Sequence, residues 1–263
     1  MDQQLIVSLP IHVTNYPDAV RTIAQWAMRG ESRSVCAANV HMVMEAHDDA
    51  NYRRAVESAD LITSDGVPLV WALRWLGWSK ATRVYGPELT LHLLRRAAED
   101  GIPIGLFGST PETLTRLRQN IRVQFPGIAI AFWESPPFRS PSHEEELETL
   151  ARIRNSGARL LFVGLGCPKQ EYWMAAHKRG LPAVTLGVGA AFDFIAGTKK
   201  QAPLWMRSAG LEWMFRFATE PRRLWRRYTR HNPRFIAWFS MQLFRSRLWP
   251  GRIQPPGSTL GAK

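Results

Sequence analysis

Asp65 stands in Thr63-Ser64-Asp65-Gly66, between a β-branched apolar run and a helix signal at Pro68. A carboxylate there can cap the helix or take a proton from a hydroxyl nucleophile, and spacing alone does not choose between these roles. Two glycine-rich stretches follow other apolar runs. Gly164-Leu-Gly166-Cys-Pro-Lys-Gln170-Glu171 opens a helix, where main-chain amides and the positive helix end suit a diphosphate; Gly187-Val-Gly189 has the same setting. Glycines at strand ends also serve close packing, so either stretch has a bland alternative. Neither is a dinucleotide fingerprint, because Lys169 and Phe192 hold the place of its last glycine. A dinucleotide oxidoreductase is therefore the weakest reading. No Asp-x-Asp occurs, and Asp48-Asp49 reads as a solvated helix face. Charge on a departing diphosphate then falls to Arg, Lys or helix ends, and no metal or other cofactor is expected. His41, at a helix start, reads as structural.

Short β-rich runs alternate with longer segments of helical period, the pattern of a largely parallel sheet covered by helices. Strands are expected near 5–7, 12–14, 34–38, 61–63, 103–107, 129–133, 160–164 and 183–187. Helices are expected over 16–28, 40–47, 50–58, 68–76, 87–100, 111–125, 143–155 and 168–178. Several of these begin with proline in the first turn after a residue able to cap, as in Ser109-Thr110-Pro111. In such a sheet the loops at the carboxyl ends of the strands line one crevice. Asn39 and His41, Asp65, Gly108, the 164–170 loop and the 187–189 loop all fall there.

The 263 residues allow one sizeable core with appendages. Net charge is +12, and nearly all of it lies between Lys199 and Arg252, where thirteen basic residues meet only Glu212 and Glu220. Such a balance predicts anionic partners. Two distant cysteines, Cys36 and Cys167, indicate neither a disulfide framework nor a zinc site and fit a reducing cytoplasm. No secretory signal opens the chain, and its longest apolar stretches are about half of the roughly 20 residues that span a bilayer. Arg223, Arg226, Arg227, Arg230 and Arg234 recur at helical spacing beside Leu224, Trp225 and Tyr228, as an interfacial helix would have them, with a break expected at Asn232-Pro233. The expected organisation is an α/β core over 1–200, a basic amphipathic helical appendage over 201–249 and a disordered Gly/Pro-rich tail over 250–263.

The runs Asn39-Val-His-Met-Val, Ser64-Asp65-Gly66, Arg83-Val-Tyr-Gly86-Pro-Glu-Leu89, Leu106-Phe-Gly108, Phe162 through Pro168-Lys-Gln170-Glu171, Gly187 through Gly197 and Ala202-Pro203 through Gly210-Leu-Glu-Trp213 to Glu220-Pro221 resemble the WecG/TagA/CpsF glycosyltransferases. The resemblance spans roughly residues 5–233, with Pro-Lys-Gln-Glu and Gly-Leu-Glu-Trp its most specific parts. It implies a Rossmann-like core and an inverting, metal-independent transfer from a UDP-sugar to an undecaprenyl-diphosphate-linked saccharide in cell-surface polysaccharide synthesis. N-acetylmannosamine, its uronic acid and glucose are the sugars of different members. The resemblance makes Asp65 the general base and Arg83 and Gln170 site residues. It places Arg216, Arg223 and Arg226 over the diphosphate. Asn39 matches the family's Thr-x-Asn, whose threonine is Ala37 here, which leaves the donor sugar open.

The expected site thus comprises Asp65 and Arg83 for catalysis, with Asn39, Gly108, Gly164, Gly166, Gln170, Gly189, Arg216, Arg223 and Arg226 for substrate. The expected partners are the UDP-sugar donor, the polyprenyl-diphosphate-linked saccharide acceptor and an anionic membrane surface, with the protein peripheral on the cytoplasmic face. Nucleic acid is not expected, although a nucleotide- or nucleic-acid-binding module without transferase activity is the rival. Monomer and homo-oligomer both stay open.

Overall fold

The computed structural model describes residues 1–208 and 210–248, the side chains of Ser208 and Arg223 excepted. The tail expected over 250–263 lies outside the described residues. In chain order the strands are β1 (Gln3–Ile6), β2 (Leu9–His12), β3 (Arg33–Ala38), β4 (Leu61–Ser64), β5 (Ile104–Gly108), β6 (Ile130–Glu134), β7 (Leu160–Gly164) and β8 (Val184–Gly187). The helices are α1 (Tyr16–Met28), α2 (Val40–Asp48), α3 (Ala50–Glu57), α4 (Val67–Trp75), α5 (Gly86–Asp100), α6 (Pro111–Gln124), α7 (His143–Asn155), α8 (Lys169–His177), α9 (Ala191–Ile195), α10 (Leu204–Ser208), α11 (Glu212–Thr219) and α12 (Pro221–Leu248).

Strands β3 to β8 form one parallel sheet in the order β4-β3-β8-β7-β5-β6. Its central strands are buried on both faces, as in Leu160 to Val163, which is why they read as continuous apolar runs without alternation. One core cluster joins Ile23, Leu93, Leu117 and Phe192, from α1, α5, α6 and α9; another joins Met44, Val56, Leu73 and Met174, from α2, α3, α4 and α8. The result is the expected α/β sandwich of helices on a parallel sheet. Side-chain caps fix the helix starts: Asn15 accepts from Asp18 N, Asn39 from His41 N and Met42 N, and Thr110 from Thr113 N.

The amino terminus departs from expectation. Residues 12–14 do not make a second core strand; β1 and β2 pair antiparallel with each other, Gln3 opposite His12, outside the main sheet. A tight reversal at Val7-Ser8, with Val7 at φ 56°, sets that register. Pro10 is tolerated because a two-stranded ribbon leaves one edge of each strand unpaired.

The expected break at Pro233 is also absent, since α12 runs unbroken from Pro221 to Leu248. Proline removes one main-chain hydrogen bond from a helix interior. Tertiary packing on both sides offsets that loss: His231, Phe235 and Phe239 are buried, with Phe235 and Phe239 stacked at 5.9 Å. Asp48 is exposed, as expected of a solvated helix face, and is also ion-paired. It receives Arg234 Nη1 at 2.8 Å and Arg230 Nη2 at 3.4 Å, tying α12 to α2. Gln242 clasps the hairpin, accepting from Val7 N at 2.8 Å and donating to Leu5 O at 2.7 Å. Among the described residues no helix is long and apolar enough to cross a membrane.

Candidate active site

Strands β3, β4, β5, β7 and β8 end side by side, so Asn39, Asp65, Ser109, Gly164 and Gly187 come to one edge of the sheet. Two adjoining cavities open there. The smaller, of about 220 Å3, lies between the starts of α2 and α4 and the helices α11 and α12. The larger, of about 300 Å3, lies over the ends of β3, β7 and β8. Asn39, Asp65, Arg216 and Arg227 line both and form the wall between them.

Asp65 is fixed by its own main chain, whose N–H donates to Ala38 O at 2.8 Å, and by Gly86 N–H, which donates to Oδ1 at 2.6 Å. Burial pushes its carboxyl up from 3.8 to about 6, against the opposing pull of Arg83 and the Gly86 amide; Glu212 adds to the rise. A carboxylate so poised is ionised at neutral pH yet basic enough to accept a proton from a hydroxyl. It does not cap α4, whose N-cap is Gly66 and has no side-chain capping bond.

Arg83 does not hydrogen-bond that carboxylate. Its Nε donates to Asp65 O at 2.5 Å, its Nη2 to Glu212 Oε2 at 2.9 Å, and its guanidinium lies 4.2 Å from the Tyr85 ring centroid. Tyr85 Oη donates to the other Glu212 oxygen at 2.5 Å. Glu212, at the start of α11 and 5% exposed, thereby joins the carboxy-terminal helices to the loop that holds Asp65. The sequence placed Glu212 inside a specific run without a role. Its one available signal was an acid in an otherwise basic segment.

Gln170 is buried and bridges the two glycine loops. Its Oε1 accepts from Gly189 N at 3.1 Å and its Nε2 donates to Glu171 Oε1 at 2.7 Å. A Cβ on Gly164 would sit 2.4 Å from the Phe192 ring, and one on Gly108 would sit 2.6 Å from the Gly164 main chain with φ at +121°. Gly164, Gly166 and Gly189 line the larger cavity, whereas Gly108 spaces β5 from β7 behind it. The amide supply is smaller than the loop suggests, because Gln170 N–H is taken by Gly166 O at 2.9 Å. Positive charge at that cavity comes mainly from Arg216, Arg227 and Lys199, the last paired with Asp193 at 2.9 Å.

The arginines of α11 and α12 divide. Arg216 lies in the shared wall; Arg226 is exposed and lines neither cavity; Arg223's side chain lies outside the described residues. Arg227, which the sequence assigned only to a basic face, is the α12 residue that enters the wall, with Nη2 donating to Asn39 Oδ1 at 3.2 Å. Neighbouring arginines on a helix differ by 100° in direction, so a register of basic residues does not reveal which one turns inward.

His41, Glu45 and His231 each offer a ligand atom within 4.8 Å of the others. Arg227, Arg230 and Arg234 surround the two histidines with positive charge, which opposes a cation there. Burial, then Arg227 and His231, holds His41 down at about 3, while burial and the amino terminus hold His12 down at about 4. The unfolded chain therefore binds more protons than the folded one as pH falls below about 6.5, and stability falls with it. Each histidine contributes a slope of up to about 1.4 kcal/mol per pH unit, partly offset between pH 6 and 4 by Asp65, whose raised value has the opposite sign. Thermal melts are expected to show a lower midpoint at pH 5 than at pH 7.5; equal midpoints would contradict neutral, buried histidines.

A parallel sheet with its loops gathered at one edge, and a half-buried carboxylate between two cavities walled by arginine, is a frame for group transfer between two ligands. The model of the glycosyl transferase WecG/TagA/CpsF family matches residues 4–248, nearly the whole described chain. The chain belongs to the WecG/TagA/CpsF family, and is thus a glycosyltransferase of cell-surface polysaccharide synthesis.

Proposed function

We propose that the protein transfers a hexose-type sugar from a UDP donor to a polyprenyl-diphosphate-linked saccharide, with inversion and without a metal ion. The observation that carries this reading is the position of Asp65 in the wall shared by the two cavities, with its carboxyl raised to about 6. The donor occupies the larger cavity, its diphosphate facing Arg216, Arg227 and Lys199. The acceptor saccharide enters the smaller one and presents a hydroxyl to Asp65.

In the transfer step the acceptor oxygen forms a bond to the anomeric carbon as its proton passes to the Asp65 carboxylate. The bond from that carbon to the UDP oxygen breaks, and UDP leaves with the electron pair. Arginine charge stabilises the leaving diphosphate where another transferase would use a chelated cation. Gln170 and the glycine loops hold the floor of the donor cavity, and Glu212 and Arg227 hold α11 and α12 across it, which excludes water from the activated sugar. The tryptophan-bearing helices α11 and α12, the second of them strongly basic, bring the site to an anionic membrane surface where the acceptor resides.

The test is UDP release by the full chain with a panel of UDP-sugars and a short-chain polyprenyl-diphosphate saccharide. Acceptor-dependent release with one donor, unchanged by chelator, is expected. Release abolished by chelator and restored by magnesium would overturn the metal-free reading. Nucleotide binding with no transfer from any donor would favour the rival binding module.

A further inference from the structure

Helix α4 belongs to the core, yet it carries an outward face unlike a solvated one. Leu69, Val70, Ala72 and Leu73 are buried, while Trp71 and Trp75 are 51% and 59% exposed with Arg74, also exposed, between them. Positions i, i+3 and i+4 share one helix face, so the two indoles flank a guanidinium stem. Beside them α10 exposes Leu204 and Trp205, at 73% and 64%. Trp71, Arg74, Leu204 and Arg207 line one shallow groove, which shares Val67, Arg83 and Gly210 with the smaller of the two site cavities.

Large apolar side chains gathered at one place on a surface mark an interaction site, whereas scattered ones need no explanation. Indoles next to arginine are the combination suited to the headgroup layer of a bilayer, where the ring enters and the cation meets lipid phosphate. Two observations select a lipid surface over other occupants. Neither α4 nor α10 contains an acidic residue, and Glu88, which also lines the groove, is paired with Arg207 at 2.8 Å, so Arg74 leaves the face net positive and complementary to anionic lipid. Trp75 also stacks on Phe239 of α12 at 6.0 Å, which makes the α4 face continuous with the helix proposed above to meet the membrane.

We infer that Trp71 and Trp75 of the core helix α4, joined by Leu204 and Trp205 of α10 just beyond the core, form a contact with an anionic bilayer at the mouth of the acceptor cavity. The inference rests on the lipid-linked acceptor proposed above and extends it: the core itself touches the membrane, and α11 and α12 are not its sole anchor. Docked so, the groove opens onto the headgroup layer, and a lipid-held saccharide reaches Asp65 without leaving the bilayer.

The test compares the full chain with Trp71→Ser, which leaves the Trp75–Phe239 stack in place, and, separately, with Leu204→Ser/Trp205→Ser. Circular dichroism and the thermal midpoint check that each variant is folded. Each variant is expected to lose at least about tenfold in affinity for vesicles of phosphatidylcholine and phosphatidylglycerol. Each should also transfer more slowly to acceptor embedded in those vesicles, while turnover of a short, water-soluble acceptor stays at the wild-type rate. Vesicle affinity unchanged in both variants, or absent in the wild type, would overturn the inference. A fall in oligomer mass by light scattering, with vesicle affinity unchanged, would assign the face to a second copy of the chain. Wild-type failure with the soluble acceptor would instead count against the transferase reading, which the vesicle comparison does not use.

Discussion

Asp65→Asn is expected to lower transfer by about two to four orders of magnitude while leaving UDP binding intact. The amide keeps an oxygen to accept Gly86 N–H, so the loop holds its shape, but it cannot take a proton from the acceptor. Stability should move the other way. Holding the carboxyl at about 6 instead of 3.8 makes its ionised form a cost to the fold on the order of 3 kcal/mol above pH 6, a cost absent at low pH and growing as pH rises through the folded value. Asparagine removes that cost, so the variant should melt higher than wild type at pH 8 and lose the advantage near pH 4. In the wild type, kcat/KM should rise with pH through about 6 and then level off. Near-normal turnover in the variant would show that Asp65 only shapes the loop.

Glu212→Ala has the second large expected effect. Its carboxylate is the anion that Arg83 and the Tyr85 hydroxyl both reach, and it is nearly sealed from solvent. Removing one partner of a buried pair leaves the other charge uncompensated, which typically costs about 3–5 kcal/mol. The urea midpoint should fall accordingly, and Glu212→Gln, which still offers an oxygen to one donor, should recover part of it. A structural loss alone would leave the pH dependence in place. Glu212 also raises the Asp65 carboxyl, so the acid limb of the rate profile should shift below about 6 in Glu212→Ala. An unshifted limb would separate Glu212 from the base.

The sheet and most helices were legible because their signals are local. Val35-Cys36-Ala37-Ala38 and Leu160 to Val163 are apolar runs bounded by turn residues, and Asn15, Thr110 and Ser142 cap helices with bonds to the next turn. Asp65, Asn39 and Gln170 were legible as candidates because parallel strands deliver their carboxyl ends to one edge. What stayed hidden depends on partners far along the chain. Glu212 becomes a buried hub only when Arg83, 129 residues earlier, meets it. Nothing near Arg227 distinguishes it from Arg226 until α12 lies against Asn39. Pro233 breaks an isolated helix, and only the packing of Phe235 and Phe239 shows that this one continues.

The Gln242 clasp on Val7 and Leu5 joins residues 235 and 237 positions apart. A ribosome delivers the hairpin more than two hundred residues before its clasp, so during synthesis the core waits with one side uncovered. Contacts of such separation form slowly, because the chain between them must be closed into a loop before they contribute. The wall between the two cavities is completed by the same segment, through Arg216 and Arg227. A chain that stopped before α11 would leave Asp65 without Glu212, Arg216 and Arg227 beside it. Assembly order thus makes the site wait for α11 and α12, which are synthesised after every strand of the sheet.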